Sequence, residues 1–134
     1  MLLLKGIKFF LIHINIDRQK RLKDEPHLGH NRWHPDIPAI CEIAPEQVFS
    51  ADTRDAADGQ ITRGMTVHDL EPLDRSVAHP LTGPFWVTGA EPGDLLEVEF
   101  LDIVPQAYGW TRIRPGSGFL REHISGPFLV HWDM

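Results

Sequence analysis

Proline and glycine punctuate this chain too often for a fold built on long helices. The sequence holds 11 prolines and 11 glycines, about a sixth of its residues. A proline inside a helix removes a backbone hydrogen bond and clashes with the preceding turn, and glycine there costs conformational entropy. The breaks fall at Pro26, Pro35, Pro38, Pro45, Pro80 and Pro84, and at the pairs Pro92-Gly93, Pro115-Gly116 and Gly126-Pro127. What remains are short extended pieces joined by turns. The expectation is a mainly β fold with long loops and little helix. Its sheets would be antiparallel, sandwich- or barrel-like, with roughly five to eight strands.

Alternation locates the pieces. Over residues 9–16, Phe10, Ile12, Ile14 and Ile16 face one way while Leu11, His13 and Asn15 face the other, the period of a half-buried strand. Residues 17–26 are a charged, solvated connection closed by Pro26. Residues 27–40, HLGHNRWHPDIPAI, read as a structured loop in which Pro35 and Pro38 forbid regular helix. A second strand is expected near 48–53, a helical turn at Thr66–Leu70 and a strand at Phe85–Thr88. Pro92-Gly93 suits a type II turn. Leu95–Ile103 carries the strongest strand signal. Leu96, Val98 and Phe100 share one face and Glu97 and Glu99 the other, until the phase flips and Leu101 and Ile103 become the apolar set. The terminal FLVHW, residues 128–132, reads as an adhesive edge strand that pairs outside this chain or with another subunit.

Composition narrows the functional classes. A length of 134 residues suits one domain, and 42% hydrophobic with 24% charged residues excludes global disorder and fibres. A formal charge of −6 argues against nucleic-acid or anionic-membrane partners. The single cysteine, Cys41, excludes an internal disulfide and a multi-thiolate metal site. Its neighbour is acidic, so nothing marks it as a reactive thiolate. The apolar start is interrupted by Lys5, Gly6 and Lys8 and lacks a small-residue cleavage site, so it reads as non-targeting. No glycine-rich nucleotide loop appears, and no organic cofactor is expected.

Three places have the residue types for chemistry. His30, Asn31, His34 and Asp36 crowd one loop, where two imidazoles and a carboxylate would suit a divalent metal such as zinc. The alternative is a loop capped by side-chain hydrogen bonds. Trp33, between the histidines, would wall a small pocket. Asp52, Asp55 and Asp58, followed by Gly59, form an acidic turn that would bind a hard cation, supply a general base or simply face solvent. Asp102 sits where the strongest strand changes phase, either facing outward or buried with partners. His123 and His131 have no clustered partners and read as structural or exposed.

Several blocks resemble one family. GHNRWHPDIPAI at 29–40, DGQI at 58–61 and HPLTGPFWVTGAEPGDLLEVEFLDIVP at 79–105 are similar to the amino-terminal part of the acetamidase/formamidase family, as are GW at 109–110 and GFL at 118–120. Residues 29–134 form the family-like β domain. Residues 1–28, a strand and a charged connection, match less well. The resemblance implies a cytoplasmic, β-rich homo-oligomer that hydrolyses short linear amides, formamide or acetamide, to the acid and ammonia. It singles out His30, His34 and Asp58 as metal ligands, His30, Asp58 and Asp102 as catalytic groups, and Trp33, Asn31 and Gly59 around the substrate. Family enzymes are more than twice as long as this chain. The resemblance therefore implies either such a hydrolase or its amino-terminal fragment, completed by a missing carboxyl-terminal half; the competing reading is a non-catalytic, truncated β domain that assembles with partner chains.

Overall fold

A computed structural model describes residues 12–134. The start of the strand expected over 9–16, and the apolar stretch read as non-targeting, lie outside the described residues. The described chain is strand-rich with little helix. Its eight strands pair as four separate two-stranded ladders, and its only helical elements are 3-10 turns at Leu22–Asp24 and Val67–Leu70. Two ladders are antiparallel and two are parallel. The chain divides into two compact units, Met1–Gly59 with Val77–Pro92, and Gln60–Ser76 with Gly93–Met134.

In the first unit, β1 (Ile12–Ile14) runs parallel to β4 (Phe49–Ala51), pairing Ile12 with Phe49, His13 with Ser50 and Ile14 with Ala51. The alternation is as read: Ile12 and Ile14 are half-buried, His13 and Asn15 exposed, and Ile16 buried. β2 (Gly29–His30) pairs antiparallel with β5 (Leu81–Thr82). The two backbones approach so closely that a Cβ on Gly29 would lie 2.3 Å from the Leu81 carbonyl oxygen, which reserves the position for glycine. β3 (Cys41–Ile43) lies parallel to β6 (Phe85–Val87). The Phe49 and Phe85 rings meet with centroids 5.0 Å apart. The Gly83–Pro84 peptide is cis.

In the second unit, β7 (Tyr108–Ile113) and β8 (Phe128–Asp133) form an antiparallel ladder from Tyr108↔Asp133 to Ile113↔Phe128. The apolar terminal stretch therefore finds its partner inside the chain, which corrects the expectation that it pairs elsewhere. Gln60 and Asp74 close a loop by exchanging two hydrogen bonds, each 2.9 Å. The turn at Val67–Leu70 falls where the sequence placed it. Thr66 N and Oγ1 donate to Asp69 Oδ2 at 2.7 and 2.9 Å across its start.

A further expectation fails. Leu95–Ile103 joins no ladder among the described residues, and every residue from 91 to 107 is exposed. Alternation encodes a segment suited to burial on a pleated surface, but it cannot name the strand that does the burying. The buried apolar side chains among the described residues are Ile16, Ala57 and Ile61.

Candidate active site

The histidine loop leaves β2 at His30 and projects into solvent until Ile40, whose N–H bonds the Pro84 carbonyl at 2.8 Å. His30 Nδ1 lies 2.6 Å from the Arg32 carbonyl oxygen. A carbonyl can only accept, so Nδ1 carries the hydrogen and the Nε2 lone pair is the basic one. Trp33 meets His30 edge-on at 6.5 Å between centroids, yet it is 90% exposed and encloses nothing by itself. Asp36 N–H donates to His34 Nδ1 at 3.2 Å, and the Asp36 carboxylate stands 3.8 Å from the same nitrogen. Neutral His34 therefore carries its hydrogen on Nε2, the opposite tautomer to His30. Asn31 is half-buried beside them.

Asp58 occupies a different setting. It is 1% exposed, and both its carboxylate oxygens lie 3.0 Å from the Leu22 N–H. Arg54, four residues earlier and also buried, places Nη1 3.9 Å from Asp58 Oδ1, while its Nη2 donates to Glu25 Oε2 at 2.5 Å and Nη1 to the Lys20 carbonyl. The turn beneath is tied by Asp55, whose oxygens accept from Ala57 N–H at 2.8 Å and Gly59 N–H at 2.7 Å. Asp58 and Gly59 both take positive φ, 55° and 72°, a conformation that aspartate tolerates and glycine favours. The acidic turn is a buried clasp on the 17–26 connection, not a solvated surface.

The sequence's candidates stand in different surroundings. His30 stands with Trp33, and His34 with Asp36. Asp58 is enclosed by Leu22 and Arg54. Asp102 belongs to the second unit and is exposed. Among the described residues no three His, Cys, Asp or Glu side chains converge as a metal site. His30 has the orientation of a ligand, with one nitrogen fixed by a carbonyl and the other bound by no group among the described residues. Cys41 is half-buried, and that burial pushes its thiol above the ordinary range, so it is protonated at neutral pH.

Three clusters escaped the sequence reading. Strand pairing sets His13 beside Ser50, so that His13 Nδ1 contacts Ser50 Oγ and Nε2 lies 2.9 Å from Asn15 Oδ1, a chain on the exposed face of β1. In the second unit His131 Nε2 donates to the Met65 carbonyl at 2.8 Å. That leaves Nδ1 to accept from the Tyr108 hydroxyl at 2.8 Å. Arg63 lies over the Tyr108 ring at 4.9 Å, bonds the Ala107 carbonyl at 2.8 Å and pairs with Asp133. Both of these depend on strand register, which alternation alone does not reveal. The third, Arg54 with Asp58, was readable as an i,i+4 pair of opposite charges.

The profile of the Acetamidase/Formamidase family matches residues 15–134. The chain belongs to this family. It is 36% identical to the acetamidase of Mycolicibacterium smegmatis over 89% of this chain and 32% of that protein. It is 33% identical to the formamidase of Methylophilus methylotrophus over 90% of this chain and 31% of that one. Its fold superposes on the gamma lactamase of Delftia acidovorans with a TM-score of 0.81 and 37% identity, covering 90% of this chain and 31% of the other. The chain therefore spans about a third of the length of the curated relatives it matches. Among the described residues, no helix is long and apolar enough to cross a membrane.

Proposed function

We propose that this chain forms part of a hydrolase that cleaves the C–N bond of short linear amides, formamide or acetamide, releasing the carboxylic acid and ammonia. The observation that carries the reading is His30. Its Nδ1–H is fixed on the Arg32 carbonyl, its Nε2 lone pair is bound by no group among the described residues, and it stands within the family-like loop against Trp33. The named relatives, an acetamidase, a formamidase and a gamma lactamase, share the amide carbon–nitrogen bond as the group acted upon.

In this reading His30 Nε2 takes the proton from the attacking water as oxygen bonds to the amide carbon, and returns it to the departing nitrogen. Such general-base catalysis contributes about 10²–10⁴-fold. Trp33 and Asn31 flank the substrate. Asp58 holds the turn that leads into Gly59. A divalent cation such as zinc, held at His30 Nε2, would take that nitrogen's place as the activating group, because one lone pair cannot serve both; it would polarise the amide carbonyl, with its remaining donors outside the residues described above. Discrimination between formamide and acetamide rests on one methyl group, worth about 1–3 kcal/mol.

The test measures ammonia from formamide and acetamide, with and without zinc. It uses the 134-residue chain and a fusion in which the chain replaces the matched third of the Mycolicibacterium smegmatis acetamidase. The fusion is expected to release ammonia, and a His30→Ala/His34→Ala double variant to lose at least about 100-fold of that rate. An unchanged rate in the double variant would end the assignment to this loop. A well-folded fusion without activity would end the amidase reading itself.

A further inference from the structure

The segment from Leu95 to Val104 is the largest unexplained feature of the molecule. It is 97% exposed at Leu95, 70% at Val98, 77% at Phe100 and 73% at Ile103, and it joins no ladder among the described residues. Soluble monomers rarely leave a continuous apolar patch beyond a few hundred Å² uncovered. Its pattern is also unlike that of an edge. Leu96, Val98 and Phe100 point one way, and after the phase change Leu101 and Ile103 are apolar in the opposite phase. Each half therefore has one apolar face, with Glu97 and Glu99 opposite the first set and Asp102 opposite the second, so the segment needs cover on one side in its first half and on the other in its second. Edge strands are usually kept short, whereas this segment runs from Leu95 to Val104.

We propose that Leu95–Val104 is an interior strand of the family fold, and that the polypeptide covering it corresponds to the part of that fold beyond the matched third. Two observations choose this occupant. The curated relatives are about three times as long as the matched region, so the family fold contains chain to supply the neighbours. Charge argues against a second copy. From Val77 to Thr111 the chain carries Glu91, Asp94, Glu97, Glu99 and Asp102 and no Lys or Arg. Self-pairing would bring Glu97, Glu99 and Asp102 against their own like charges, which destabilises a ladder. The covering strand should therefore alternate apolar residues with Lys or Arg, and should join through main-chain hydrogen bonds with side-chain pockets setting register.

The proposal rests on family membership and not on catalysis, so its test reads assembly alone. The tagged 134-residue chain is co-expressed with the remaining two thirds of the Mycolicibacterium smegmatis acetamidase, and that protein's own matched third serves as the positive control. Wild-type chain should co-purify with the remainder in equal amounts. A Val98→Lys/Phe100→Lys variant should lose the complex, and Phe119→Lys, at a side chain just as exposed, should keep it. The second measurement is hydrogen exchange on the single-chain fusion described above, which needs no assembly in trans. Amides 95–104 should exchange about 100-fold more slowly in the cooperatively melting fusion than in the chain alone. Equal exchange in both would overturn the proposal. So would failure of this chain to capture a remainder that the control captures, or a complex that survives Val98→Lys/Phe100→Lys. A self-dimer abolished by that same variant would assign the surface to a second copy and overturn it equally.

Discussion

The acidic turn and the histidine loop belong to the same compact unit and came from the sequence as rival halves of one site, yet they are built in opposite ways. Asp58 is buried, holds the Leu22 N–H and is backed by Arg54. His34, Asp36 and Trp33 are exposed, and the hydrogen bonds of His34 and Asp36 reach no further than three residues along the chain. A buried carboxylate that accepts from distant backbone organises the fold, because removing it strands a donor away from water. An exposed loop with local bonds can change its side chains at little cost in stability. Candidates of the same residue type therefore predict different experimental failures, folding in one case and chemistry in the other.

The sharpest way to break this contrast is Asp58→Ala. It deletes the acceptor of Leu22 N–H and the carboxylate facing a buried guanidinium, and should cost about 3 kcal/mol by urea denaturation. Asp58→Asn keeps an oxygen for Leu22 and tolerates positive φ, so it should recover most of that loss. If the two variants are equally unstable, the carboxylate's charge matters more than its acceptor. If neither is destabilised, Asp58 is not the clasp described here.

A smaller effect tests where the exposed loop begins. Its root is β2, where Gly29 faces the Leu81 carbonyl with no room for a Cβ. Gly29→Ala forces the ladder apart and should cost about 1–3 kcal/mol, comparable to overpacking a core. Exchange of the Gly83 amide, which donates to the Leu28 carbonyl at 3.2 Å, should quicken with it. A neutral result would mean that the loop is free from Gly29 onward and that its stem does not position His30.

How much of this was legible depends on range. The alternation of Ile12, Ile14 and Ile16, the strand at Phe85 and the turn at Thr66–Leu70 are local patterns, and local patterns carry their own answer. The Asp58-Gly59 turn was legible too, as a turn, but its burial was not, because Leu22 lies 36 residues away. Nothing in β1 or β4 marks their parallel pairing, which has no tight hairpin to announce it. Leu95–Ile103 is the clearest case: a strong local signal whose partner is not found among the described residues. The pair His131–Tyr108 became visible only when β7 and β8 fell into register.

The smallest expected effect sharpens the contrast from the exposed side. Asp69 is also a carboxylate that accepts backbone N–H, but at the surface. The hydrogen bond from Thr66 N–H, then that from Thr66 Oγ1, and the nearby His68 hold its carboxyl below the ordinary value, against a small opposing effect of burial. Because its acidity is greater folded than unfolded, it contributes stability above the unfolded pKa and loses that contribution as pH falls through the lower folded one. The Thr66 amide resonance, followed by NMR, should therefore titrate below the usual aspartate range, and Asp69→Asn should remove that titration while the chain stays folded. If the Thr66 amide instead titrates at the ordinary aspartate value, the two bonds do not persist in solution. Burial would then be what separates a structural carboxylate such as Asp58 from one that merely decorates a turn.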